Sequence, residues 1–430
     1  MIKSLFKGTI ILTIAGLATR LIGFLYKIYL SNILGAKMLG IYQLVFPIFG
    51  LCFTLFGAGI QTAISQLVAA NKNYTYIKNI LIKSIVIALS CSMLLSLFTY
   101  CGANFIAESL LGESECKNML KILAFAYPLC AVTVCINGCY YGMKQTAVPA
   151  ITQLIEQIAR VLFVYFLLIL IPMADVNIAC KCAVAGIAVG EGISMIYSLI
   201  MIIISLKKME HENSTKANVV KPLFIMSLPL TGNKLVVALL HSVEMIIIPS
   251  MLKLYGMTSD NALSVYGVLT GMAMPFIMFP ATITNSLSVL LIPTISEIYE
   301  RKNRKHLNKV ASLCVWGNLA FGILSTIFFL IIGAKIGVMV FNNTAIGIFI
   351  KILSFLCPFM FVSTTISSII NGLGKTYITF FITITGLAIR ILITVKLVPS
   401  HGISGYLISL LISQIIVTIM SFHYYNKYFK

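Results

Sequence analysis

Lys121-Ile122-Leu123-Ala124-Phe125-Ala126-Tyr127-Pro128 returns 230 positions later as Lys351-Ile352-Leu353-Ser354-Phe355-Leu356-Cys357-Pro358. The same offset, with no gap, pairs Val132 with Val362, Ile136 with Ile366, Gly142 with Gly372 and Thr146 with Thr376. It goes on to pair Arg160 with Arg390 and Leu162 with Leu392. Coincident Ile and Leu are common in an apolar chain. Lys, Pro, Gly and Arg falling in one register mark an internal repeat. Two like halves inside a membrane are the build of a secondary transporter, whose substrate path is expected between the repeats.

The composition demands the membrane. Of 430 residues, 59% are hydrophobic and 10% charged, with mean hydropathy +1.01; a soluble domain carries about 25% charged residues. Apolar stretches of roughly 20 residues recur along the chain, each long enough to cross a hydrocarbon core about 30 Å thick. Short alternating strands, the mark of a barrel, are missing from the pattern. The fold expected is an all-α polytopic membrane protein. The net charge of +19 is no nucleic-acid signature, because the lysines cluster in short loops between spans rather than among exposed aromatics. Most of the eleven cysteines lie in apolar runs and read as small hydrophobes. Cys180-Lys181-Cys182 is the only close pair, and no second pair or histidine completes a metal site. No cofactor is expected.

Twelve spans are expected, near 8–30, 41–69, 80–103, 120–142, 150–172, 183–206, 223–252, 263–294, 310–333, 348–371, 377–398 and 402–424. The basic start, Met1 to Lys7, leads straight into the first and reads as a retained helix. The polar stretch 207–221 (KKMEHENSTKANVVK) falls near the midpoint, so it is the expected linker between six-helix lobes 1–206 and 222–430. With the N-terminus inside, eighteen basic residues fall on the cytoplasmic side and eight outside. Both termini are therefore expected in the cytoplasm, and the protein in the cell membrane. An even number of spans per half makes the repeats parallel, related by an axis along the membrane normal.

Five basic residues (Arg20, Lys27, Arg160, Lys234, Arg390) and three acids (Glu156, Glu191, Glu244) remain inside spans. Each costs about 2.5–3.5 kcal/mol near the bilayer centre, so each needs a partner, a wet cavity or an interface. Glu156 and Arg160, spaced i, i+4, can pair on one helix face. Arg390 lacks that partner because position 386 is Gly, and it reads as freer to bind an anion. Arg20 and Lys27, nearly two turns apart, point the same way. Lys234, His241 and Glu244 share a face of span seven and are expected to form a structural or coupling network. Proline and glycine interrupt matching spans: Pro47, Gly57 and Gly59 in span two, beside Gln61; Pro275 and Pro280 in span eight, beside Asn285. Bends are expected there.

The segment Lys7-Gly8-Thr9 … Thr19-Arg20-Leu21-Ile22-Gly23-Phe24 … Leu34-Gly35-Ala36 … Gly40-Ile41-Tyr42-Gln43-Leu44, with Pro47 and Gly57 to Ser65, resembles the stage V sporulation protein B family. That family is a polysaccharide-exporter branch of the multidrug/oligosaccharidyl-lipid/polysaccharide (MOP) flippase superfamily. The resemblance runs over essentially the whole chain, including Asn371-Gly372-Leu373-Gly374-Lys375. It implies two six-helix lobes facing each other in a V and a polyprenyl-linked sugar substrate, such as lipid II for spore cortex. Related lipid II flippases hold the pyrophosphate with basic residues in a central cavity. Arg20 matches one of these, Lys27 stands near a second, and Cys52 and Phe53 occupy the stretch of a third that is absent. Glu244 matches an acid common on helix seven of the superfamily. Many relatives have fourteen helices, two of them associated with a groove for the lipid tail.

The function expected is a flippase rather than an enzyme. Arg20, Lys27, Arg160, Arg390, Gln61 and Asn285 would hold the substrate, while Glu156, Glu191, Lys234, His241 and Glu244 would form the coupling or structural charge network. Expected partners are the lipid-linked saccharide, the bilayer and cell-wall or spore-cortex machinery, with no nucleic acid. A cation-coupled multidrug antiporter would need a buried acid in the first lobe, for which Glu156 and Glu191 stand ready. A membrane polymerase or ligase would need a large outer loop with catalytic residues, and the outer loops are short. A non-transporting scaffold is the remaining alternative.

Overall fold

The computed structural model describes residues 2–71, 73–171, 175–208, 219–341 and 343–429, so 209–218 of the expected linker lie outside it. Every regular element among these residues is a helix. In chain order they are α1 (Ile2–Leu44), α2 (Phe46–Phe53), α3 (Gly59–Ala70), α4 (Tyr74–Cys101), α5 (Cys116–Ala124), α6 (Ala126–Gly142), α7 (Ala147–Leu170) and α8 (Val176–Lys207). Then follow α9 (Val220–Leu254), α10 (Ser259–Gly267), α11 (Met274–Glu300), α12 (Arg304–Phe341), α13 (Thr344–Ser354), α14 (Leu356–Gly372), α15 (Thr376–His401) and α16 (Ile403–Phe429).

Among the described residues nine helical runs are long and apolar enough to cross a membrane, and eleven when each of two bent pairs counts as one span. The first run, Thr13–Ala70, holds 58 residues. At 1.5 Å per residue that is about 87 Å, long enough to cross a 30 Å core twice. It breaks at Gly35, whose φ of 68° and ψ of 177° suit glycine alone. The expected gap between spans one and two is therefore a single non-helical residue, with helix on both sides. Several helices also start earlier than hydropathy suggests, because they start at a cap. Asn73 accepts from Thr75 N at 2.9 Å, and Asp175 from Asn177 N at 3.4 Å.

The repeat is legible in the backbone. α5 and α6 meet at 41°, α13 and α14 at 45°. Pro128 and Pro358 lie just past these bends, and neither can donate to the carbonyl four residues back. Those carbonyls, Ala124 O and Ser354 O, accept instead from Ser96 Oγ and Thr326 Oγ1, each at 2.8 Å. Ser96 and Thr326 are themselves 230 apart, so the hydroxyl that satisfies the bend was duplicated with the bend. The turns after α6 and α14 match as well. Gln145 N bonds Tyr140 O at 2.9 Å, and Lys375 N bonds Ile370 O at 3.1 Å. Lys144 and Gly374, at equal places in these turns, both take positive φ, 60° and 76°.

The chain folds as two compact units, Met1–Gly23 with Leu44–Ser242 and Phe24–Gln43 with Val243–Lys430. They are not the segments 1–206 and 222–430: α1 and α9 each give one part to either unit. A π-turn lies beside each exchanged part. In the first unit it is Thr54–Ala58, followed by Gly59, where an added Cβ would fall 1.9 Å from Thr231 Oγ1 of α9. In the second it is Val268–Ala273, preceded by Gly267, where a Cβ would fall 2.0 Å from Ala36 O of α1. Phe24 continues that contact, 4.8 Å from the Phe276 ring. Spans two and eight each hold a π-turn, that of span eight ending before Pro275 while Pro280 lies inside α11, and the glycines beside the turns admit a crossing helix.

Candidate functional site

A π-turn lengthens the backbone ring and leaves a carbonyl without its usual donor. In the first unit the turn ends at Ala58, and Lys234 Nζ donates to Ala58 O at 2.7 Å and to Thr62 Oγ1 at 3.1 Å. Thr62 Oγ1 also bonds Ala58 O, at 3.2 Å. Lys234 thus fastens α9 to the turn. Its partners are a carbonyl and a hydroxyl, so the network expected with Glu244 does not include it. His241, on the same helix, is exposed.

Arg160 of α7 pairs with Glu156 one turn earlier, as the spacing suggested. A third group joins them. The buried Glu191 of α8 lies within electrostatic reach of both. Gly190 makes this approach possible, since a Cβ there would fall 2.8 Å from Glu156 O. The cluster carries two acids and one cation inside the first unit.

In the second unit Arg390 is held, contrary to the freedom expected of it. Its NH1 bonds Glu244 Oε1 and Oε2 at 3.2 and 3.5 Å, and its Nε bonds Ser413 Oγ at 2.9 Å. Tyr406 OH donates to Glu244 Oε1 at 2.8 Å. Glu244 and Tyr406 are each 2% exposed, so the pair is buried and its lone pairs are largely met. Nothing in the sequence linked Arg390 to an acid 146 positions away, nor singled out Tyr406 and Ser413.

Arg20 and Lys27 stand apart from these pairs. Both lie on α1, Arg20 exposed and Lys27 half-buried. Among the described residues neither side chain has a hydrogen bond or an ion pair. Arg20 belongs to the first unit and Lys27 to the second. Gln61 and Asn285 are half-buried and also lack side-chain hydrogen bonds among the described residues. Of the expected substrate residues, the two cations of α1 keep unspent charge, while Arg160 and Arg390 have acids of their own.

A family model described as polysaccharide biosynthesis protein matches residues 5–299, and one described as MatE matches 234–396. Stage V sporulation protein B of Bacillus subtilis (strain 168) is 26% identical over 97% of this chain and 83% of its own length. The lipid II flippase MurJ of the same organism is 22% identical, again over 97% and 83%. An inward-facing multidrug resistance MATE family transporter of the MOP superfamily superposes with a TM-score of 0.76 at 14% identity, covering 97% of this chain and 98% of that one. The all-helical, multi-span fold is that of the MOP transporters. With more than half its length matched by the first model, the chain belongs to the polysaccharide biosynthesis protein family.

Proposed function

We propose that the protein is a membrane flippase that moves a polyprenyl-diphosphate-linked saccharide, of the lipid II kind, across the cell membrane. The observation that carries this reading is the pair of embedded cations on α1, Arg20 and Lys27, left without protein counter-ions among the described residues. A diphosphate cannot enter hydrocarbon unaided. Fixed donors replace its hydration with charge-assisted hydrogen bonds, and a guanidinium offers two in parallel. A cation with its own carboxylate would have to surrender it first, so Arg160 and Arg390 are poorer ligands than Arg20. The names of the two bacterial relatives support the substrate class. The charge bias of the loops supports cytoplasmic termini, and a role beside cell-wall or spore-cortex machinery follows from the same relatives.

Depleting a bacterium of its own lipid II flippase provides the test. The wild-type chain is expected to restore growth, and Arg20→Ala, at equal membrane abundance, to fail. Equal rescue by both removes Arg20 from the mechanism. Failure of a wild-type chain that reaches the membrane removes the lipid II type of substrate.

The first-unit acid cluster favours a second reading, cation-coupled export of drugs. Glu191 is the buried acid such a mechanism needs. Expression would then raise drug resistance, and Glu191→Gln would abolish the rise; unchanged susceptibility on expression excludes it.

A further inference from the structure

A cavity of 520 Å³ opens at one end of the second unit, where α11 ends, α12 begins, and the turn after α14 meets Tyr428. This is the end that the charge bias assigns to the cytoplasm. Its floor is Ile298, Leu307 and Leu373, 8%, 5% and 9% exposed, all part of the buried cluster that joins α11, α12 and α14. The floor is therefore core, and the cavity does not depend on a loose loop for its shape.

Charge gathers over that floor. Lys302, Arg304 and Lys375 line the cavity with one acid, Glu300. Among the described residues none of the three cations has a side-chain hydrogen bond or ion pair, and Glu300 pairs with none of them. The nearby acid Glu297 is taken by Arg301 at 2.6 Å, and neither residue belongs to the lining. Lys302 holds φ at 54°, a left-handed conformation that side chains rarely adopt, and this fixes the tight connection from α11 to α12. Arg304 opens α12, a helix of 38 residues, so the positive end of its dipole faces the same space. Tyr299 and Tyr428 add phenolic hydroxyls at the rim.

We propose that this cavity binds a phosphate group, carried either by an anionic lipid head group or by a soluble phosphate ester. The chemistry is common to both: three cations for the charge, hydroxyls for the remaining oxygens and an apolar floor for whatever the phosphate esterifies. The site is separate from the α1 cations and stands or falls independently of the transported substrate.

The test uses the full-length protein in detergent micelles with two probes. Native mass spectrometry compares retention of phosphatidylglycerol with that of phosphatidylcholine; calorimetry measures binding of inorganic phosphate. Preferential retention of phosphatidylglycerol assigns the lipid source, and phosphate binding without lipid preference assigns the soluble one. The triple variant Lys302→Ala, Arg304→Ala, Lys375→Ala is expected to weaken the successful probe roughly a hundredfold, at about fivefold per basic residue. Arg301→Ala, Lys305→Ala, Lys309→Ala removes as much charge from outside the lining and is expected to leave it unchanged. Glu300→Gln is expected to tighten it about fivefold by the same reckoning, which keeps a test in hand should the triple variant misfold. Binding of neither probe to the wild type, equal loss in both triple variants, or no response to Glu300→Gln overturns the proposal.

Discussion

Arg160 and Arg390 hold the same place in the two repeats and are satisfied in different ways. Arg160 finds its acid on its own helix, one turn back, with a second acid arriving from α8. Arg390 reaches α9 for Glu244 and α16 for Ser413. The cause lies at the crossing of the neighbouring helix. In the first unit Gly190 on α8 makes the close approach, 2.8 Å from its notional Cβ to Glu156 O, and so α7 is free to carry an acid at 156. In the second the glycine stands on the other helix: Gly386 on α15 faces Val417 of α16, whose Cγ2 lies 2.3 Å from where a Cβ would be. Position 386 thus gives up its side chain to packing, and the arginine is left to find a partner elsewhere. A duplicated charge keeps its site more readily than its partner.

The sharpest way to break this comparison is to remove each acid in turn. Glu244→Ala leaves a guanidinium buried without its counter-charge and is expected to destabilise the protein by about 3–5 kcal/mol in a reversible SDS-unfolding titration. Losing less than Glu156→Ala does would show that the long-range pair is not the tighter one. Restoring the first-repeat arrangement should fail for steric reasons. Gly386→Glu places an acid four residues before Arg390, yet it is expected to cost about 1–3 kcal/mol by overpacking against Val417. A stabilised Gly386→Glu variant would mean that the α15–α16 crossing has slack. The smallest effect belongs to Glu156→Ala, about 1 kcal/mol in the same titration, since its pair spans one turn of one helix and Glu191 remains in reach of Arg160.

What the chain disclosed in advance was whatever is local or repeated. The offset of 230 paired Pro128 with Pro358, beside which the bends lie, the Glu156–Arg160 pair sits on one helix, and Gly57 and Gly59 marked the π-turn of span two. The hydroxyls of Ser96 and Thr326 were equally visible at that offset, but in a helix a serine or threonine bonds its own backbone by default and draws no notice. Contacts between distant segments stayed hidden. Lys234 serves a carbonyl 176 positions earlier, and a backbone oxygen has no residue type to betray it. The exchange of the parts of α1 and α9 between the compact units was hidden for a related reason, since hydropathy records how long a span is and says nothing about what it touches.

Lys144 raises a different matter. Its twin in the second repeat is Gly374, for which a positive φ is effortless; for a lysine the same backbone is strained by about 1–2 kcal/mol. Glycine at 144 would relax the turn, and it would also strip a positive charge from a short loop. Loops are threaded or retained during synthesis, before any helix has settled against another, and their lysines steer that decision. A residue can therefore be ill suited to the finished protein and well suited to its birth.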